Sequence, residues 1–251
     1  MGSRTTLKKI IFLLLILVLI SNNKNIACAK KYVKSLKVDK NVSIKVGESK
    51  KIKYKLSVVN YANKNITADS LNKEVAVAHV KKGKIIIVGN KQGKAKIKVT
   101  SKGKNIKGKN IVKTIKVTVY PTYLVDLPVL NSTEEFRKGD IYYDRLQNQY
   151  NKAFLIGKPT GSTYHEWYLN GKYNHISGVL AFSDKDNMST DYNYCGIIQI
   201  YADDNLIYTS PEINYKTEPI IFDMDISGAK ILKIVHKREC ELIVDSCILS
   251  K

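Results

Sequence analysis

The chain has 251 residues, 44% hydrophobic and 25% charged, a globular composition that excludes wholesale disorder. Its formal net charge of +20 is unevenly spread. Residues 30–120 hold 25 Lys, no Arg and 4 acids, a net +21, whereas residues 121–251 hold 13 basic and 18 acidic residues, a net −5. Twelve of the 16 Tyr also follow Pro121, so a domain boundary is expected at residue 120.

At the N-terminus, Lys8 and Lys9 precede an unbroken apolar run of eleven residues, Ile10 to Ile20. That length suits a signal peptide and falls short of the roughly 20 residues a bilayer span needs. Ala27-Cys28-Ala29 supplies a small-x-small cleavage site. Residues 1–29 therefore read as a secretory signal peptide, with a short membrane anchor as the alternative, and no transmembrane segment is expected in the mature chain. Asn25 stands where a lipoprotein signal places an aliphatic residue, so ordinary cleavage is expected. Export leaves Cys195, Cys240 and Cys247, an odd number in an oxidising compartment. Buried free thiols are expected, and a Cys240–Cys247 bridge is the alternative.

From residue 30 to 120 the pattern has period two. Lys51, Lys53 and Lys55 interleave with Ile52, Tyr54 and Leu56, and Lys94, Lys96 and Lys98 interleave with Ala95, Ile97 and Val99. Each run predicts a strand with one face buried and one in water. Val33 to Asp39, Val46-Gly47-Glu48, Val75 to Val80, Ile85 to Gly89 and Gly93 to Val99 follow in an order that resembles the group 2 bacterial immunoglobulin-like domain over residues 32–120. Ala68 to Asn72 departs from that family's Trp-Ser-Ser segment. The resemblance implies an immunoglobulin-like β-sandwich acting as a spacer or adhesive module of a surface protein. The lysines allow two readings: a contact for anionic wall polymers or membrane surface, or ordinary solvated strand faces. The absence of Arg and the scarcity of aromatic residues argue against nucleic acid.

After Pro121, strand-like runs recur at Ala153–Ile156, Glu166–Leu169, Tyr173–Ser183, Cys195–Tyr201, Leu206–Thr209, Pro219–Asp225, Lys230–His236 and Leu242–Leu249. Asp203-Asp204-Asn205 and Ser227-Gly228 predict tight turns, and a further hairpin is expected to turn at 237–239. So many short strands fit a jelly roll. Asp144-x-x-x-Asn148-x-Tyr150, Trp167 to Tyr173, Ile198 to Asp204 and Asp223 to Gly228 together resemble the novel carbohydrate-binding module of clostridial and related secreted proteins, over residues 122–250. That resemblance implies a galactose-binding-like jelly roll and glycan binding.

Sugar recognition needs an aromatic face for the apolar side of the ring and polar groups for its hydroxyls. Two stretches combine them: Thr163 to Trp167, with Tyr164, His165 and Trp167, and Asp191 to Tyr194, with Tyr192 and Tyr194. Tyr164, His165, Tyr192 and Tyr194 are expected to line a groove at a loop end, joined by Trp167 unless it is a core residue. Asp184, Asp186, Asn187 and Asp191 form an oxygen-rich stretch that matches no EF-hand spacing, so no metal is expected. The four His lack metal-ligand spacing, and no nucleophile elbow or phosphate loop occurs. No catalytic residue and no cofactor is expected. The whole reads as an all-β, secreted, non-enzymatic surface protein: an immunoglobulin-like β-sandwich (30–120) followed by a galactose-binding-like jelly-roll β-sandwich (121–251). The expected partner is a cell-wall or extracellular glycan, and the alternative is an adhesive protein whose second domain binds another protein.

Overall fold

The computed structural model describes residues 29–157, 161–185, 195–238 and 240–251. The apolar run behind the signal-peptide reading lies outside the described residues. Every regular element described is a strand, apart from one short 3-10 turn at Leu124–Asp126. No helix among the described residues is long and apolar enough to cross a membrane.

Nine strands come first: β1 (Tyr32–Val38), β2 (Asn41–Lys45), β3 (Ser49–Ile52), β4 (Tyr54–Val59), β5 (Ile66–Ser70), β6 (Ala76–Lys81), β7 (Lys84–Gly89), β8 (Gly93–Lys104) and β9 (Asn110–Tyr120). They form a four-stranded sheet in the order β2-β9-β8-β5, a three-stranded sheet β3-β7-β6 and the pair β1-β4. The pair β2–β9 is parallel; the other pairings are antiparallel. On β8 the alternation acts as its sequence predicts: Lys94, Lys96 and Lys98 face water, while Ala95, Ile97 and Val99 are buried. Leu36, Ile52, Ile85, Ile87 and Ile115 complete this core.

Thirteen strands follow: β10 (Thr122–Tyr123), β11 (Val129–Ser132), β12 (Arg137–Lys138), β13 (Tyr142–Tyr143), β14 (Gln149–Tyr150), β15 (Ala153–Ile156), β16 (Thr163–Tyr168), β17 (His175–Phe182), β18 (Gly196–Ala202), β19 (Asn205–Thr209), β20 (Ile220–Asp225), β21 (Ile231–Arg238) and β22 (Leu242–Ser250). One sheet runs β12-β15-β22-β17-β20, with β10 also on β22, and the other runs β11-β16-β21-β18-β19. Phe154, Trp167, Leu180, Ile198, Ile234 and Leu242 pack between them.

The β18–β19 hairpin forms as expected, with Asp203 (φ 47°) and Asp204 (φ 66°) in the left-handed region that a tight hairpin turn demands. The hairpin expected at 237–239 does not form. β21 and β22 belong to different sheets, because β22 already has β15 on one side and β17 on the other and offers β21 no free edge. The connection instead crosses from one layer to the other. Strand β11 was not expected: it is a short edge strand that exposes Leu130.

The two groups of strands meet end-on. Thr122 Oγ1 donates to the Val46 carbonyl at 2.9 Å, and the Lys251 amide donates to the Asn90 carbonyl at 3.0 Å. Gly47 (φ +78°) sits against the Tyr173 ring so closely that a Cβ there would lie 2.7 Å from Cε1. The opposite, distal end of the second sandwich gathers Gly157, Thr163, Ser183, Cys195, Arg238 and Leu242, which stand at strand ends.

Candidate functional site

Strand β16 decides most of the expected site. Alternation along Thr163–Tyr168 turns Thr163, His165 and Trp167 inward, while Tyr164, Glu166 and Tyr168 face out. The expectation that His165 lines a groove, joined by Trp167, is therefore corrected: both are 0% exposed and present no face to a sugar. They pack in an aromatic cluster, with Phe136 and His165 centroids 4.9 Å apart and Phe154 and Trp167 5.5 Å apart. Tyr192 and Tyr194 lie outside the described residues, as do Asp186, Asn187 and Asp191 of the oxygen-rich stretch.

Tyr164 is half-buried on the outer face. Its hydroxyl accepts from Asn131 Nδ2 at 3.0 Å, and Lys233 Nζ lies 4.1 Å from its ring centroid, a cation–π contact. Lys233 also pairs with Glu166 at 3.0 Å. The register sets Glu166 beside Lys233 and Lys233 beside Tyr201, whose hydroxyl donates to Gln199 Oε1 at 3.0 Å. The outer face thus presents accessible aromatic and polar groups, whereas those of the inward half of β16 are buried. Sequence reasoning missed Asn131, Lys233 and Tyr201, yet period two across Thr163–Tyr168 was the signal that separates the two faces.

Beneath the distal end lies a buried polar clamp. Ser132 Oγ donates its proton to the Glu134 carbonyl and meets His165 Nδ1 at 2.8 Å, so it receives the imidazole proton there. Nε2 is then the unprotonated nitrogen. It has no hydrogen-bond partner and stands 3.7 Å from Glu134 Oε1. That oxygen accepts the Gly157 amide at 3.0 Å, while Arg137 binds Glu241 and the Gly157 carbonyl, the latter at 3.0 Å. These bonds tie the chain after β15 and the β21–β22 crossing to β12 and to the segment that joins it to β11. Burial, followed by the Arg137 charge, holds His165 down to about 4, and burial alone does the same to His236. Both are neutral at pH 7.

The landmark residues Asp144, Asn148 and Tyr150 form a structural knot. Asp144 accepts from the Leu146 and Asn148 amides, from Asn148 Nδ2 at 2.8 Å and from the Tyr150 hydroxyl at 2.8 Å. Burial pushes its carboxyl up, but these donors prevail and hold it below the usual carboxylate range. Cys195, Cys240 and Cys247 are buried and belong to no disulfide, and burial, helped by Asp245, pushes the Cys247 thiol far up. Among the described residues no group of three or more His, Cys, Asp or Glu is placed to hold a metal ion.

Two β-sandwiches in tandem, the second presenting an aromatic and polar outer face, define a modular all-β protein. Residues 32–112 match the bacterial Ig-like domain (group 2), and residues 156–243 match the NPCBM/NEW2 domain. The chain carries a group 2 bacterial Ig-like domain followed by an NPCBM/NEW2 domain. Among solved structures it is similar to the M60 catalytic domain with two CBM51 domains of Clostridium perfringens ZmpB, at 18% identity and TM-score 0.47, over 86% of this chain and 23% of that one. It is also similar to the tandem CBM51 modules of the family 98 glycoside hydrolase Sp3GH98 from Streptococcus pneumoniae, at 14% identity and TM-score 0.46, over 68% and 61%. A third similar structure is CBM51 from Clostridium perfringens GH95 in complex with methyl-galactose, at 14% identity and TM-score 0.43, over 52% and 100%. The chain spans less than half the length of the ZmpB structures it resembles. A search of curated proteins finds no match.

Proposed function

We propose that the chain is a secreted cell-surface protein whose second sandwich binds a cell-wall or extracellular glycan. In this reading the first sandwich is a spacer whose lysines also meet anionic wall polymers. The observation that carries the proposal is the match of residues 156–243 to the NPCBM/NEW2 domain, a carbohydrate-binding class. Export rests on the apolar run and the Ala27-Cys28-Ala29 site. The binding groups are Tyr164, set on the outer face, together with Tyr192 and Tyr194. The module binds without catalysing: the Ser132–His165–Glu134 contacts serve as an internal clamp, with the imidazole wholly buried and its Nδ1 proton already committed.

A glycan array with the chain lacking residues 1–29 tests this reading. Wall or extracellular glycans should be retained, and retention should fall at least about tenfold in a Tyr164→Ala/Tyr192→Ala/Tyr194→Ala variant, since stacked aromatic contacts contribute about 1 kcal/mol or more each. Undiminished retention would remove these three residues from the site. Binding to no glycan, with saturable binding to a surface protein instead, would establish the adhesive alternative.

A further inference from the structure

The outer face of the sheet β2-β9-β8-β5 is hollowed, and the hollow follows from side-chain length. Asn41 and Ser43 on β2 and Thr118 on β9 are short. Lys116 on β9 and Lys94 and Lys96 on β8 are long and rise around them. The result is an open depression of about 530 Å³, with Leu71 and Asn72 at its far rim. A second depression, lined by Lys37, Lys40 and Lys113, joins it at Asn41 and Lys116, which line both. The two make one continuous trough that carries six lysines and no acid.

The lysines of the trough are uncompensated. Among the described residues, the only ion pair within 4 Å made by a lysine of this sandwich is Lys45 with Asp126, at 3.9 Å, outside the trough. Lys96 and Lys116 stand directly opposite each other in the β8–β9 register. Like charges in that relation destabilise a sheet. A solvated face needs no such arrangement, whereas a bound polyanion would relieve it.

We propose that this trough is a binding site for an anionic polymer whose charges are repeated phosphodiesters linked by short polyols. This rests on the reading of the lysine-rich sandwich given above and names the site and the ligand chemistry. Lysine ammonium groups serve phosphates as point charges, whereas the guanidinium fork that best matches a planar carboxylate does not occur between residues 30 and 120. Lys94 and Lys96, two apart on one strand, stand about 7 Å apart along the chain direction, a spacing suited to charges separated by a short linker. Ser43, Thr118 and Asn41 on the floor offer donors to phosphate oxygens and partners to polyol hydroxyls. No aromatic side chain lines the trough, so it has no platform for nucleic-acid bases.

The test is binding of the chain lacking residues 1–29 to immobilised poly(glycerol phosphate) at low salt. Polygalacturonate, single-stranded DNA and anionic phospholipid vesicles run in parallel. A Lys94→Gln/Lys96→Gln/Lys116→Gln variant should lose about tenfold or more in affinity for poly(glycerol phosphate). A Lys51→Gln/Lys82→Gln/Lys84→Gln variant removes equal charge from the separate depression lined by those residues and should lose much less. Binding should also fade by about 0.5 M NaCl. Equal losses in the two variants would overturn the trough while leaving a diffuse electrostatic attraction intact. No binding of the unsubstituted chain would overturn the trough and the polyanion reading together, without touching the glycan site of the second sandwich. Stronger binding to polygalacturonate, DNA or vesicles than to poly(glycerol phosphate) would overturn the phosphodiester assignment. Thermal unfolding at or above the temperature of the unsubstituted chain in both variants, raised in the trough variant by relief of the Lys96–Lys116 opposition, verifies that the substitutions act on binding.

Discussion

At the scale of single residues, burial governs chemistry in the second sandwich. His165 and His236 are each held at about 4, below the usual 6.5, by burial. The unfolded chain therefore takes up protons near pH 6.5 that the folded chain refuses until about 4. The stability these neutral side chains support is full above about 6.5 and is lost as pH falls towards 4. Each histidine contributes a slope of at most about 1.4 kcal/mol per pH unit. Urea unfolding midpoints should thus hold steady from pH 8 to 7 and fall from 6.5 to 5, and His236→Leu should reduce that slope by about half. Asp144 supports a different expectation. With four donors on its carboxylate, Asp144→Ala should lower stability by about 2–3 kcal/mol, measured by the same method, because the Asn148 and Tyr150 donors lose their acceptor. The thiols give a third: peptide mapping after iodoacetamide treatment should find Cys195, Cys240 and Cys247 unmodified in the folded chain and modified in urea, since burial keeps the reagent from the sulfur.

At the scale of elements, β16 shows what was legible and what was overlooked. Residues Thr163 to Trp167 look like a binding loop by composition, with two aromatics, a histidine and an acid in five positions. Their order carries another message, because a strand sends odd and even positions to opposite faces. Trp167→Ala should therefore cost about 3–5 kcal/mol in stability as a core truncation, whereas Tyr164→Ala on the outer face should change stability by less than about 1 kcal/mol; urea unfolding separates the two. The Lys94–Lys98 run was plain from sequence, since no turn or edge interrupts it. The 237–239 connection was not: a turn signal marks where the chain reverses and is silent on whether the next strand joins the same sheet.

At the scale of the whole molecule, the two sandwiches share a junction built from Val46, Gly47, Asn90, Thr122, Tyr173 and Lys251. A side chain at residue 47 would press on the buried Tyr173 ring and force a backbone angle that favours glycine. Gly47→Val should cost about 1–3 kcal/mol and split a single calorimetric unfolding transition into two. A single unsplit transition at the original temperature would show that the junction transmits nothing. Taken alone, the sequence determined the all-β class, the strand faces of the first sandwich, the β18–β19 turn and the reversal of charge at residue 120. All of these are written in local order: period two, turn residues and composition. Only the tertiary structure decided that His165 and Trp167 are core residues, the first of them held in a polar clamp, that β21 and β22 lie in opposite layers, and that Lys96 and Lys116 share a trough. Each of those depends on which distant strand lies alongside, a choice made by the packing of whole sheets and carried by no single segment.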